Sequence, residues 1–144
     1  MKVTIHETGI KEENLTYVVI IVRHNKQWIL ARQRGQTTWE FAGGHIDENE
    51  TSDEAAAREL YEETGAEDYT LFPISIYSVT GESMPDSFGK LYLATVNKFG
   101  QLPAYEMEEI CGFTEVPEEL TYPMIYPALL SKVNEFAEQC NIQL

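Results

Sequence analysis

The sequence predicts a mixed α/β domain, and three observations indicate this fold class. The chain has 144 residues, which is about the size of one domain with one sizeable core. Segments rich in β-branched residues lie on both sides of one strongly marked helix, Thr51 to Thr64. No repeat or low-complexity segment interrupts this order. We therefore expect a single domain over residues 1–144.

The predicted strands come in two groups. Thr16 to Arg23 and Gln27 to Arg34 flank His24-Asn25-Lys26 and are typical of a hairpin. Two later strands are separated by a segment dense in turn residues, which we expect to be a loop. These elements are the strands Thr70 to Val79 and Lys90 to Val96, with the loop at Thr80 to Ser87.

The end of the chain predicts a second helix that packs on the sheet. Apolar residues recur there at helical spacing, and Pro127 suits a first helical turn. The recurring residues are Leu129, Val133, Phe136, Ala137 and Cys140.

The charge and cysteine content restrict the possible partners and compartment. A net charge of −14 argues against nucleic acid or an anionic membrane as a partner, since both attract basic surfaces. The longest apolar run, Tyr17 to Val22, is too short for a membrane span, and the first residues contain no apolar signal core. Cys111 and Cys140 have no zinc-site spacing, so we expect buried reduced thiols. We expect a cytoplasmic protein, monomeric or homodimeric.

The central helix carries clear start and stop signals. Thr51 and Glu54 form a capping box at its start, and Gly65 suits the left-handed residue that commonly ends a helix. Gly43-Gly44 precedes this helix and leaves its backbone carbonyls unshielded by side chains. The sequence thus predicts a glycine-rich segment, a loop and a helix in succession.

Three carboxylates on this helix can converge. Glu59, Glu62 and Glu63 stand at i, i+3 and i+4, so their head groups share one side of the helix. The simpler interpretation is a solvated acidic face. Like charges at this spacing cost about 0.2–0.5 kcal/mol per pair, however, and Arg58 cannot neutralise three of them. An oxygen-seeking cation such as Mg²⁺ would relieve the repulsion, so metal binding is the better explanation.

The spacing of these residues resembles a known signature. Gly44, then five residues, Glu50, then seven residues, and finally Arg58-Glu59-Leu60-Tyr61-Glu62-Glu63-Thr64-Gly65-Ala66 is similar to the Nudix box of MutT-like hydrolases. The preceding Trp39 to Gly44 also resembles the usual lead-in, with Ala42 where proline is usual. Ala66 stands where a larger aliphatic residue is common.

The resemblance implies a fold and a set of metal ligands. The fold is the Nudix fold, in which a mixed β-sheet is sandwiched between α-helices (an α/β/α sandwich). By the family pattern, the Gly43 carbonyl and Glu59, Glu62 and Glu63 would bind one to three Mg²⁺ or Mn²⁺ ions. Glu50 and Arg58 would form a supporting ion pair that orients Glu59, against the alternative of a plain surface salt bridge. Glu59 or Glu62 would be the general base.

Members of this family often recruit one more acidic ligand from a later loop. The candidates here lie in Tyr105 to Glu109, and Glu106 is the first choice because it stands at the loop end. The alternative is that Glu106, Glu108 and Glu109 are all solvated surface acids.

Substrate contacts are predicted from the strand that leads to the box. Arg32 and Arg34 alternate along it, so both can point to one side and bind phosphate. A solubilising role for at least one of them is the alternative. The aromatic residues Trp28, Trp39 and Phe41 can stack on a base or belong to the core.

Three functions are compatible with these features. The favoured one is hydrolysis of the diphosphate linkage in a nucleoside triphosphate, including an oxidised one, or in another nucleoside diphosphate derivative. The second is pyrophosphohydrolysis at the 5′ end of RNA, which the net charge of −14 argues against. The third is a catalytically silent domain that senses a nucleotide, which the full set of box glutamates argues against.

Overall fold

The computed structural model of the chain describes residues 2–7, 9–81 and 84–144. Within these residues seven strands form one mixed sheet in the order β1-β5-β6-β2-β3-β7, with β4 paired to β2. The strands are β1 (Lys2–His6), β2 (Tyr17–His24), β3 (Gln27–Gln33), β4 (Ala42–His45), β5 (Ala66–Gly81), β6 (Met84–Phe99) and β7 (Met107–Phe113). The helices are α1 (Ser52–Thr64) and α2 (Tyr126–Gln139), with a short 3-10 helix at Glu12–Asn14.

Strand β2 is the central strand of the sheet. On one side it runs parallel to β6 over residues 17–23. On its other side the first half pairs with β4, from Tyr17 with His45 to Ile20 with Ala42, whereas the last residues pair with β3. Because β2 changes partner along its length, β4 and β3 lie beside different halves of it. The short strand β4 lies at the edge of the sheet, on the face that α1 covers.

The two long helices cover opposite faces of the sheet. Alternating residues of β2 point to opposite faces. Val18, Ile20 and Val22 pack in the cluster that contains Ala56 and Leu60 of α1. Ile21 packs instead with Leu129 and Val133 of α2. The predicted α/β/α sandwich is therefore confirmed.

Local signals in the first half of the chain predicted the β2–β3 hairpin and α1, whereas strands β1 and β4 were not predicted. In the β2–β3 hairpin, Asn25 and Lys26 both have positive φ angles, 49° and 64°, as the tight turn of a two-residue hairpin requires. At the start of α1, the Thr51 hydroxyl accepts a hydrogen bond from the Glu54 N–H, and the Glu54 carboxylate accepts one from the Thr51 N–H. Gly65 ends the helix at φ 76°.

The second half of the chain differs from the prediction in two ways, of which the first is that strand β7 was not predicted. Strands β5 and β6 form a hairpin longer than expected, because they pair through much of the segment predicted as a loop. The loop assignment for Thr80 to Ser87 is therefore wrong for Thr80, Gly81 and residues 84–87, while Glu82 and Ser83 lie outside the described residues. Pairing along a long ladder outweighed the local turn propensity of these residues.

The C-terminal helix agrees with the prediction, but the cysteines do not. Leu129, Val133 and Ala137 are buried, and Pro127 lies in the first turn of α2. Cys140 is exposed at the end of α2 and Cys111 is only partly buried, so the expectation of two buried thiols is wrong. Both remain free thiols. No helix in the described part of the chain is long and apolar enough to span a membrane.

The end of α1 gives a stability prediction. Gly65→Ala should destabilise the protein, because a left-handed backbone costs a non-glycine residue about 1–2 kcal/mol. In addition, a Cβ at Gly65 would lie 2.8 Å from the Gln101 carbonyl oxygen. Gly35→Ala is the matched control, since Gly35 has a similar φ of 78° with nothing within 4 Å of a new Cβ. Urea unfolding should show a larger loss in the free energy of unfolding for Gly65→Ala than for Gly35→Ala. Equal losses would contradict a role for the contact with the Gln101 carbonyl.

Candidate active site

The glycine pair on β4 is in close contact with both β2 and α1. A Cβ at Gly43 would lie 2.5 Å from the Val18 carbonyl oxygen of the neighbouring strand. A Cβ at Gly44 would lie 2.4 Å from Oε1 of Glu59 on α1. Neither space admits a side chain without a shift, so Gly44 is what allows the Glu59 carboxylate to rest directly on the backbone of β4.

The acidic side of α1 faces the sheet and is not a solvated surface. Glu59 is 8% exposed and Glu63 is 6% exposed, while Glu62 is half-buried. Glu63 accepts a hydrogen bond from the Gly43 N–H at 2.9 Å. Two largely desolvated carboxylates one helical turn apart are an unusual burial, because charged groups rarely enter the interior without full pairing.

Arg58 connects the loop before α1 to the carboxylates on it. It binds Glu50 through two hydrogen bonds, from Nε at 2.8 Å and from Nη2 at 2.9 Å, and Nη2 also donates to the His45 carbonyl at 3.0 Å. Its Nη1 donates to Glu59 at 2.8 Å and to Glu62 at 3.3 Å. The expected ion pair between Glu50 and Arg58 is thus present, and the same guanidinium holds Glu59.

The pKa values follow from this arrangement. Burial is the main cause that raises the pKa of Glu63 to about 9; the Gly43 N–H opposes this rise, and the nearby charges of Glu59, Glu40 and Glu106 add to it. Burial also raises the pKa of Glu59 to about 6, although Arg58 opposes this. The hydrogen bonds from Arg58 lower the pKa of Glu50. The site therefore holds more carboxylates than its one arginine can balance.

The donor set fits a hard divalent cation. Carboxylate and backbone carbonyl oxygens are the ligands that Mg²⁺ prefers. Arg58 pairs with Glu59, whereas the described ion pairs include no partner for Glu63. Among the described residues, no three acidic, histidine or cysteine side chains are already grouped around one point. Glu59 and Glu62 are instead turned onto Arg58, and Glu63 onto the Gly43 N–H. Binding a cation would require these side chains to rotate.

Of the three candidate acids after β3, only Glu106 acts electrostatically on this cluster. Its charge raises the pKa of both Glu59 and Glu63. Its backbone carbonyl accepts a hydrogen bond from the Arg34 N–H at 3.1 Å. Glu108 and Glu109 instead form ion pairs with Arg32 at 3.2 Å and 2.8 Å.

The two arginines predicted to bind substrate make other contacts in this structure. Arg32 is held by Glu108 and Glu109 and donates to the Gln36 carbonyl. Arg34 lies just beyond the end of β3, and its Nη1 donates to the Tyr105 carbonyl. The described hydrogen bonds and ion pairs do not connect either residue to the box glutamates. Their contact with substrate stays a prediction.

A cavity of about 360 Å³ adjoins the glycine pair on the face of the sheet that α2 covers. Its walls are mainly aromatic, and Gly43, Gly44 and Glu40 lie at one side. The aromatic lining residues are Tyr17, Phe41, Tyr77, Tyr122 and Tyr126. The tyrosines are distant in sequence, and sequence reasoning missed all four of them as site residues.

Of the three aromatic residues proposed to stack on a base, only Phe41 lines this cavity. Its ring meets that of Tyr126 edge-on at 5.1 Å, and its N–H donates to the Tyr126 hydroxyl. Trp39 packs against Phe113, and Trp28 packs under Arg23. Glu40 was also missed: it is buried beside Gln33, whose amide donates to it at 3.2 Å. The only feature of the sequence that indicated Glu40 was the resemblance of Trp39 to Gly44 to the segment that usually precedes the box.

Comparison with known proteins gives a consistent result. The model of the NUDIX domain matches residues 12–123. A candidate 8-oxo-dGTP diphosphatase of Bacillus subtilis is 32% identical over 106 residues, which cover 73% of this chain and 66% of that protein. An RNA pyrophosphohydrolase of Tolumonas auensis is 45% identical over 47 residues, which cover 33% of this chain and 27% of that protein. The chain therefore spans less than two thirds of either relative.

Solved structures agree with the architecture. A pyrophosphohydrolase from Bacillus subtilis superposes with a TM-score of 0.77 at 26% identity, covering 93% of this chain and 90% of that one. A UDP-X diphosphatase superposes with a TM-score of 0.72 at 14% identity, covering 91% of this chain and 66% of that one, and so shares the fold. The matched domain includes the whole box from Gly44 to Ala66 with its glutamates against the glycine pair. The chain belongs to the Nudix domain family.

Proposed function

We propose that the chain is a metal-dependent pyrophosphohydrolase that cleaves the diphosphate linkage of a nucleoside triphosphate or another nucleoside diphosphate derivative. The observation that carries this proposal is the burial of Glu59 and Glu63 against Gly43-Gly44, beside a largely aromatic cavity. Burying two carboxylates costs free energy unless a cation compensates them. The solvated-face interpretation does not account for that burial.

Mg²⁺ or Mn²⁺ would be held by the Gly43 carbonyl and by Glu59, Glu62, Glu63 and Glu106. When bound, such a cation neutralises the diphosphate oxygens, orients the linkage and acidifies the attacking water. Glu63 is already fixed by the Gly43 N–H, whereas Glu59 and Glu62 share one nitrogen of Arg58.

The remaining residues of the box position the reacting groups. The paired hydrogen bonds between Arg58 and Glu50 hold the loop onto α1, so that Arg58 is fixed as a support for Glu59. Glu59 or Glu62 would take the proton of the attacking water. Glu59 has the raised pKa, about 6 by burial, that suits a base working near neutral pH.

The aromatic cavity gives the proposed substrate a binding site beside these groups. Tyrosine rings such as those of Tyr17, Tyr77 and Tyr122 offer flat apolar surfaces that suit a nucleobase. Because Gly43 and Gly44 border both the cavity and the acidic cluster, a base in the cavity would place attached phosphates near the glutamates. Arg34 is the better candidate for a phosphate contact, since Arg32 would first have to break its ion pairs with two acidic residues.

The same site would also serve the 5′ end of RNA, and several relatives are named RNA pyrophosphohydrolases. Those matches cover only 47 residues of this chain. A strand of RNA needs cationic side chains beyond the cut site, and a chain of net charge −14 with Arg32 held in ion pairs offers few. Small nucleotides are therefore the preferred substrate class. A nucleotide-sensing domain without activity is the remaining alternative.

Hydrolysis by the purified protein should depend strictly on metal. A panel of nucleoside triphosphates, oxidised nucleotides, dinucleoside polyphosphates, nucleotide sugars and 5′-triphosphate RNA, incubated with Mg²⁺ or Mn²⁺ and resolved by chromatography, should show turnover of at least one small nucleotide. Chelator should stop it. Glu62→Gln should lower kcat by on the order of a hundredfold or more, because a ligand or base is lost.

Glu138→Gln is the matched control for this experiment, since Glu138 is an exposed acid on α2 away from the site. It should retain the wild-type rate. Exclusive cleavage of the RNA substrate would favour the second function. If the folded protein is inactive on the whole panel with both metals, the nucleotide-sensing function replaces the enzymatic one.

The later acid can be tested by comparing two neighbours. Glu106→Gln should weaken Mg²⁺ binding and lower turnover more than Glu108→Gln, because only Glu106 acts electrostatically on Glu59 and Glu63. Glu108 serves as the control because it is a surface partner of Arg32. Isothermal titration with Mg²⁺ and a rate assay measure the two effects. Equal, near-wild-type values for both variants would remove this segment from the site.

A further inference from the structure

A second cavity lies at the opposite end of β2 from the glycine pair. It has a volume of about 660 Å³ and is open to solvent. Its walls come from the end of β2, the β2–β3 turn and β6, and include Arg23, Lys26, Thr95 and Asn97. The proposed catalytic groups do not line it. Arg23 lies five residues along the extended strand from Val18, which is beside the glycine pair, and this distance is roughly 16 Å at about 3.3 Å per residue.

Two cationic side chains, Arg23 and Lys26, line this cavity. Its lining contains no aspartate or glutamate side chain and is completed by Gln143 and Leu144. The Nε and Nη1 atoms of Arg23 are buried without a hydrogen-bond partner in the described part of the chain. Its guanidinium lies 4.2 Å from the centre of the Trp28 ring. Burial lowers the pKa of Arg23, as expected for a cation without a counter-ion.

Arg23 and Lys26 are neighbouring cations without an acidic partner among the described ion pairs. Five of the ten basic residues do form such a pair with a carboxylate, namely Arg32, Arg58, Lys90, Lys98 and Lys132. Arg23 differs from the exposed Lys26 because it is partly buried.

The neighbouring histidine, His24, is held by residues of the cavity wall. Its Nδ1 lies 2.7 Å from the Val96 carbonyl oxygen, and its Nε2 lies 3.1 Å from the Asn25 amide nitrogen. Thr95 and Asn97 line the cavity beside the two cations and carry hydroxyl and amide groups that can donate hydrogen bonds.

We propose that this cavity binds a phosphate group, either as inorganic phosphate or as part of a nucleotide. A guanidinium and an ammonium offer two positive charges to a dianion, and nearby amide and hydroxyl groups can donate to its remaining oxygens. A phosphate there would supply the counter-charge that Arg23 lacks. This site is separate from the diphosphate-cleaving site, and it does not depend on the proposed catalytic function.

Chelated protein allows the two sites to be distinguished. Without metal, the acidic cluster around Glu59 and Glu63 repels anions, so phosphate binding reports on the second cavity. The chain contains two tryptophans, Trp28 under Arg23 and Trp39 beside Phe113. In a proton–nitrogen NMR spectrum, adding inorganic phosphate should shift the indole signal of Trp28 and leave that of Trp39 nearly unchanged.

Variants of the two cationic residues test whether this cavity binds phosphate. Lys26→Gln and Arg23→Gln should each weaken phosphate binding roughly tenfold, because each removes a charge-assisted hydrogen bond. Lys11→Gln, which removes the same charge from an exposed site elsewhere, should bind like wild type. Lys26 is exposed, so its variant should fold even if the Arg23 variant does not.

A nucleoside monophosphate in a parallel titration distinguishes the two sources of phosphate. Binding much tighter than that of inorganic phosphate, with the same Trp28 shift, would identify a nucleotide as the ligand, and equal binding would identify the free ion. Absence of any Trp28 shift at millimolar phosphate would overturn the proposal. So would equal affinities in wild type and Lys26→Gln.

Discussion

The contact between the acidic side of α1 and the glycine pair of β4 is the constraint on which the site depends. Glu59 lies where a side chain at Gly44 would be, and Glu63 accepts the N–H of Gly43. Helix α1 and strand β4 depend on each other. The carboxylates of α1 need a backbone without side chains, and the short strand β4 needs a helix to cover it. The contact also desolvates two acids, which raises their pKa values and leaves a need for positive charge.

The rest of the fold positions this contact. Strand β2 pairs first with β4 and then with β3, and the change of partner brings the glycine pair beneath α1. The capping box at Thr51 and the left-handed Gly65 set where α1 begins and ends. Arg58 fixes the connecting loop through Glu50. On the other face of the sheet, Tyr126 at the start of α2 packs on Phe41 and closes the aromatic cavity beside the same glycines.

Features encoded by neighbours in the sequence were predicted, and those made by distant residues were not. The hairpin turn at Asn25-Lys26, the ends of α1 and the spacing of Glu59, Glu62 and Glu63 all depend on residues a few positions apart. The sandwich came from the resemblance to a family pattern. Tyr17 and Tyr77 converge through the sheet, Tyr122 reaches the same cavity from the segment before α2, and no local pattern indicates that. The lengthening of β5 and β6 through a turn-rich segment likewise comes from ladder pairing. The sequence alone did not distinguish Glu108 and Glu109 from Glu106 as candidate ligands. In the structure, Glu108 and Glu109 form ion pairs with Arg32 on another strand.

We propose that protons and Arg58 compensate the buried glutamates until a divalent cation binds. The most direct test is the proton count on metal binding, measured by titrating Mg²⁺ into chelator-free apoprotein near pH 8 under a pH-stat. Glu63, with a pKa of about 9, is mostly protonated at that pH and must ionise to bind, whereas Glu59, with a pKa of about 6, is already ionised. The account predicts release of about one proton per cation bound in the wild type and none in Glu63→Gln. Tight Mg²⁺ binding by the wild type without proton release would contradict it.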